Sequence, residues 1–375
     1  MKRYFLVLCL VLAMVLAGCS NQSSNGPTDE NDGTENNEPI RLTASSYTPP
    51  KHAYTLGFHD HFLDRVEEAT QGKVKFDRYY GAELVPWAGE ITALEAGTTD
   101  LTLSSLRSYH PDLFPMADIA TLPVMGGNAI IFTKAWIDLL ESDVELKDGK
   151  TYYELEISDH GFHALPLPAM DNYVISAAKK ELKNPRDFKG LILRAGFRPH
   201  EIFIKNLGST PVTMPAGELY DALSRGTIDG MPFGVADWPS YGFGDILKYT
   251  IQGLELGTYT GENLMTIEKW ESLPQDVRDA MTKIAHDQAL KGAQYFLDIL
   301  GPTIEEAKAN GAVFVQFKDL PAETQELLNN AVAKTWRDWI DKVTEEGAPG
   351  LECARLWRDL VVKHGASVPE EVMNL

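Results

Sequence analysis

The sequence predicts an α/β protein built from two units, and three observations carry that prediction. Short strand patterns alternate with helical ones from residue 41 onward, and the same alternation restarts near residue 191. Strands separated by helices of about ten or more residues imply mainly parallel sheets covered on both faces. The 375 residues, 44% hydrophobic and 23% charged, suffice for two sizeable cores and are globular in composition. The last third then drops the alternation for two long helical patterns.

Residues 1–18 read as a targeting segment. Lys2 and Arg3 give a charged start, residues 4–16 are apolar, and Leu16-Ala17-Gly18-Cys19 has the pattern of a bacterial lipoprotein cleavage box. The apolar run falls short of the ~20 residues that span hydrocarbon, so it reads as a signal rather than an anchor. Cleavage before Cys19 leaves its thiol as the nucleophile that takes a lipid. Residues 20–39 contain no aromatic, aliphatic or basic side chain, so 19–39 is expected to be a lipidated cysteine followed by a flexible tether. Such a tether lets a folded body stand off a membrane. Apart from Cys9 in the signal and Cys19, only Cys353 remains, which leaves no intramolecular disulfide and a fold resting on its core.

The folded body opens with a strand at 41–46, then a helix whose apolar stripe is Phe58, Phe62, Val66 and Ala69. Gly72 stops it, residues 73–76 alternate as a strand, and 87–96 are helical up to a Gly97 cap before a strand at 100–103. In the second unit Leu191-Ile192-Leu193 is a buried-type strand, 199–207 a helix, 211–213 a strand and 218–224 a helix. Ser272 and Gln275 form a capping box with Pro274 in the first turn of a long helix through Val277, Met281 and Ile284. Gly301-Pro302 should kink or break it. Leu328, Val332, Trp336, Trp339, Ile340 and Val343 form a second stripe, best read as core packing.

Chemistry is sparse. The net charge of −20 excludes a nucleic-acid partner, which needs a basic footprint. The chain has no GxSxG, P-loop, complete GxGxxG, CxxC or HExxH, so no catalytic residue, metal or cofactor is nominated. In His59-Asp60-His61 the two imidazoles sit two apart on a helix and cannot share an ion, which makes this a solvated helix face. Arg194 stands out. It directly follows the apolar strand and precedes Ala195-Gly196, small residues that let a ligand approach the carboxyl end of a strand. There an arginine either grips a carboxylate through its planar fork or is neutralised by a nearby acid, and the strand pattern does not choose.

The ordered set Asp187-Phe188-Lys189-Gly190, Leu207-Gly208-Ser209-Thr210-Pro211-Val212, Met214-Pro215-Ala216-Gly217-Glu218-Leu219 and Gly226-Thr227-Ile228-Asp229-Gly230 resembles the DctP-type extracytoplasmic solute-binding proteins of TRAP transporters. Leu94-Glu95-Ala96-Gly97 and Trp270-Glu271-Ser272-Leu273-Pro274 extend the resemblance over about residues 40–345. It implies a two-lobed periplasmic-binding-protein-like fold with two mixed sheets and a long bridging helix. The lobes are expected at 40–166 with about 255–288 and at 167–254 with about 289–345, followed by a C-terminal extension at 346–375. It also implies a receptor, not an enzyme, that closes on an organic acid and delivers it to a permease of one small and one large membrane subunit for ion-gradient-driven uptake. The expected place is outside the cytoplasm, lipid-anchored to the bacterial cell envelope.

In that family an arginine at the place of Arg194 grips the substrate carboxylate. Where many members carry a second arginine this chain has Tyr173, and where many place an asparagine it has Phe233. Both replacements remove a polar grip and add an aromatic face, pointing to a bulkier or aromatic monocarboxylate rather than a C4-dicarboxylate. Arg107 is either a second cation of the site or a surface arginine, and Tyr47 and Trp238 are lining candidates by location. The competing functions are an ABC-type solute-binding lipoprotein and an exported enzyme acting on a carboxylic acid.

Overall fold

The computed structural model describes residues 38–375. The signal 1–18, Cys19 and all but the last two residues of the tether lie outside the described residues. No helix among the described residues is long and apolar enough to cross a membrane.

In chain order the strands are β1 (Ile40–Ser45), β2 (Val74–Tyr79), β3 (Leu101–Leu103), β4 (Phe162–Pro166), β5 (Tyr173–Ala177), β6 (Ile192–Ala195), β7 (Thr210–Thr213), β8 (Gly230–Gly234), β9 (Tyr249–Gln252), β10 (Glu262–Thr266) and β11 (Val313–Gln316). They form two mixed sheets, and two α/β lobes result. The first has the order β2-β1-β3-β10-β4, with β1 parallel to β2 and β3 and β10 antiparallel to both of its neighbours. The second runs β11-β9-β5-β8-β6-β7, with β6 parallel to β7 and β8 and β5 antiparallel to β8 and β9. Strands β5 and β8 are buried along their whole length, as strands covered on both faces must be. The chain crosses to the second sheet after β4, returns after β9, and crosses again along one helix.

That helix, Gln275–Ala309, has 35 residues and is about 52 Å long. Its apolar positions read through three cores in turn. Val277, Met281, Ala285 and Ala289 pack under the first sheet with Phe58, Phe62 and Val66. Ala293 and Phe296 enter the core shared by both lobes. Ala307 joins Leu219, Leu223 and Met231 under the second sheet. Gly57 permits the close approach of the segment after β1, since a β-carbon there would lie 2.4 Å from the Tyr295 ring.

Several expectations are corrected. Pro274 is itself the N-cap, and Ser272 closes the preceding helix Ile267–Ser272 by donating to the Lys269 carbonyl, so no capping box forms. Pro302 does not break the long helix. It sits on the exposed side, where water can take the carbonyl that loses its partner, and Thr303 Oγ1 donates to the Ile299 carbonyl at 2.8 Å. Arg194 lies within β6 rather than after the strand. His59 is no solvated face. It is fully buried with Nε2 2.9 Å from Ser104 Oγ, and burial pushes its pKa down to about 3, while His61 is exposed.

The stripe from Leu328 to Val343 is core, as read from the sequence: all six of its residues are buried in helix Ala322–Glu345. Helix Gly350–Lys363 buries Cys353, Ala354, Trp357 and Val361 and packs between that helix and Ala129–Leu140. Cys353 is a free, buried thiol within it.

Candidate functional site

Parallel strands of both sheets point their carboxyl ends at one cleft, the place where open α/β sheets bind ligands. The loops leaving those ends line a cavity whose space free of protein atoms, about 450 Å³, includes the solvent at its open mouth. From the first lobe come Tyr47 after β1, Trp87 after β2, and Leu106 and Tyr109 after β3. From the second come Arg194 near the end of β6, Phe233 near the end of β8, Asp237 and Tyr241 beyond it, and Tyr173 at the start of β5. His52, Tyr54 and Tyr259 close the remaining wall.

Arg194 is 3% exposed, and a charge is costly to bury without a partner. Its Nε donates to the Met214 carbonyl at 3.3 Å, and Cζ lies 5.8 Å from the centroid of the Phe233 ring, within cation–π range. Nη1 is buried with no hydrogen-bond partner. Among the described residues no carboxylate pairs with this guanidinium, so the neutralised-arginine alternative has no partner here.

The walls are aromatic. Tyr173 and Phe233 lie with ring planes 7° apart and centroids 5.7 Å apart. Trp87 meets Tyr109 at 4.3 Å, and Phe197 stacks on Tyr173 and on Tyr259, each at 6.1 Å. Burial pushes the phenols of Tyr54, Tyr109, Tyr173, Tyr241 and Tyr259 up, so they stay neutral; at Tyr109 the nearby Arg194 guanidinium opposes the push. Tyr54 donates to the Pro168 carbonyl at 2.9 Å and Tyr259 to the Ser105 carbonyl at 2.7 Å, which fixes both rings. A buried guanidinium fork amid flat apolar walls suits a planar body carrying one carboxylate.

Of the residues nominated from the sequence, Arg194, Tyr173, Phe233 and Tyr47 are brought together around this cavity. Arg107 is not. It is 2% exposed and joins the protein interior, with Nη1 3.0 Å from Glu156 Oε2 and Nη2 2.5 Å from Glu262 Oε1. It is therefore neither a site cation nor a surface arginine, because two buried carboxylates surround it. Trp238 is fully buried against Phe314 at 5.8 Å and borders a different pocket, with Gly242, Thr303 and Asn310. Sequence reasoning missed the rest of the lining, His52, Tyr54, Trp87, Leu106, Tyr109, Phe197, Asp237, Tyr241 and Tyr259 among it. The available signal was proximity: Tyr109 is two residues beyond Arg107, and Asp237 directly precedes Trp238.

Comparison with known proteins gives the same outline. The family model for bacterial extracellular solute-binding protein, family 7 (DctP), matches residues 44–342. A solute-binding protein of Albidiferax ferrireducens is 25% identical over 303 residues, covering 79% of this chain and 82% of the relative. The crystal structure of a TRAP solute-binding protein from Rhodoferax ferrireducens in complex with copurified benzoate is similar at a TM-score of 0.74 and 22% identity, covering 87% of this chain and 98% of that one. A marine metagenome TRAP solute-binding protein specific for aromatic acid ligands, in complex with metahydroxyphenylacetate, reaches 0.76 at 21% identity, covering 87% and 99%.

Proposed function

The chain belongs to the bacterial extracellular solute-binding proteins of family 7, and from that premise we propose that it is the receptor of a TRAP transporter for an aromatic monocarboxylate. The observation that carries the ligand class is Arg194, a buried cation with an unpartnered Nη1, set among aromatic rings. Its fork takes the carboxylate, Phe233 and Tyr173 take the flat body, and Trp87 and Tyr109 from the other lobe cover it. Ligand contacts drawn from both lobes favour the closed arrangement, so capture and closure are coupled. The closed receptor then presents its cargo to a permease of two membrane subunits. A lipid on Cys19 and the tether behind it keep the receptor near that permease. The aromatic acids bound by the two structurally similar receptors agree with this ligand class.

A thermal-shift and calorimetric series across carboxylates tests the reading. A ligand at 100 times its Kd adds about 2.7 kcal/mol of stability, a visible shift in Tm. Aromatic monocarboxylates should bind more tightly than succinate or malate. Arg194→Ala should lose about 2–5 kcal/mol of binding free energy, roughly thirty- to several-thousand-fold in affinity. Full affinity in folded Arg194→Ala protein would remove the carboxylate anchor.

A further inference from the structure

The cavity that holds Arg194 also holds a buried carboxylate. Asp237 is 4% exposed, with Oδ2 3.2 Å from His52 Nε2, itself 3.3 Å from the Tyr241 hydroxyl. The backbone N–H of Tyr54 donates to His52 Nδ1 at 3.2 Å. With Nδ1 accepting there, Nε2 is the ring nitrogen turned toward Asp237 and Tyr241. One oxygen of Asp237, Oδ2, lies beside that nitrogen. The other, Oδ1, is buried with no partner. An ionised carboxylate only accepts hydrogen bonds, and leaving a buried acceptor bare is costly. The nearby phenols of Tyr54 and Tyr259 already donate to backbone carbonyls.

We propose that Asp237, held in place by His52, is a second anchor of the cavity that reads a hydrogen-bond donor on the ligand. The ligand is then an aromatic acid that also bears a hydroxyl or an amino group. This rests on the aromatic-acid reading above and deepens it. Two buried groups of opposite charge divide the recognition: Arg194 requires an acceptor, and Asp237 requires a donor. A dicarboxylate would place its second carboxylate against Asp237 and be repelled, so the same residue that selects the donor rejects the diacid.

Calorimetry on the protein with phenylacetate, its ring-hydroxylated and ring-aminated forms and carboxyphenylacetate tests this, with Asp237→Ala and Asp237→Asn alongside. In the parent protein a donor-bearing form should bind about tenfold or more tighter than phenylacetate, with the diacid weakest. The hydroxylated and aminated arms show which donor is read. In Asp237→Ala that preference should fall below about threefold, and in Asp237→Asn, which keeps the side chain's shape, the diacid should regain affinity relative to phenylacetate. If Asp237→Ala does not fold, the parent series and Asp237→Asn carry the test. Equal affinity for plain and donor-bearing acids in the parent, or a preference that survives in Asp237→Ala, overturns the second anchor while leaving the Arg194 reading intact. Undiminished acid binding in Arg194→Ala overturns the underlying reading instead.

Discussion

Gly196 makes the seat of Arg194: a β-carbon on Gly196 would lie 2.3 Å from Nη1 and 2.8 Å from Cζ of the guanidinium. The small residue after the strand thus leaves room for the arginine. Gly196→Ala should push the guanidinium aside and weaken acid binding by about ten- to a hundred-fold, because a small misplacement of a bidentate group forfeits much of its contact. The nearest atoms to that β-carbon all belong to Arg194, so the fold should persist. Calorimetry on the folded variant decides; unchanged affinity would show that the guanidinium has another rotamer that works.

Arg107 should matter for stability and not for recognition. Removing it leaves Glu156 and Glu262 buried side by side without their cation, and breaking a buried pair typically costs about 3–5 kcal/mol. Arg107→Ala is therefore expected to lower the denaturant midpoint sharply. An unchanged midpoint would contradict the buried ion-pair geometry.

Phe233 presents its ring to Arg194 and lines the cavity. Phe233→Asn should weaken an aromatic acid by about five- to a hundred-fold through lost stacking and cation–π contact. Small polar acids should lose less, which shifts preference toward them. A uniform loss across all acids would mean that Phe233 only shapes the strand.

Glu255 gives a pH signature. It is 6% exposed, accepts from the Gly126 backbone N–H at 2.8 Å, and burial pushes its pKa up to about 7. In the unfolded chain a glutamate ionises near pH ~4.3. The native state thus keeps a proton that the unfolded state releases, and its stabilising effect is present below about pH 4 and lost as pH rises to about 7. Glu255→Gln should therefore gain stability relative to the parent between about pH 5 and pH 8, by roughly 1–3 kcal/mol. Parallel stability profiles of the two proteins would refute the raised pKa.

Cys19→Ser should block maturation and lipid attachment if the cleavage box operates. Mass spectrometry of membrane-extracted protein reads this out directly. An unmodified mature cysteine in the parent would end the lipoprotein reading.

The fold was legible where local patterns and burial agree. Of the first stripe Phe58, Phe62 and Val66 are buried while Ala69, at the helix end, is exposed; the stripe ending at Val343 is buried throughout, because there periodicity alone sets the buried face. Pro302 misled because its cost depends on whether the orphaned carbonyl faces solvent, which a sequence does not show. Arg107 and Tyr109 share one short loop, and it is the tertiary positions of Glu156 and Glu262, both far along the chain, that turn the arginine inward. His52 and Asp237 are 185 positions apart in sequence and meet only because two strand ends converge. Aromatic residues in loops carry no periodic signal, so most of the cavity wall was invisible.

The place of β10 in the first sheet has a consequence for how the chain acquires its structure. It lies between β3 and β4, pairing Asn263 with Leu103 on one side and Leu165 on the other. Until residue 266 is available, β4 has no neighbour in its sheet, and β3 keeps an open edge. The second sheet has β5 to β9 contiguous in sequence and lacks only its edge strand β11. The first sheet is thus joined up only by a strand encoded after five of the six strands of the second sheet, so a truncation before residue 262 would leave both β3 and β4 unpaired on that side.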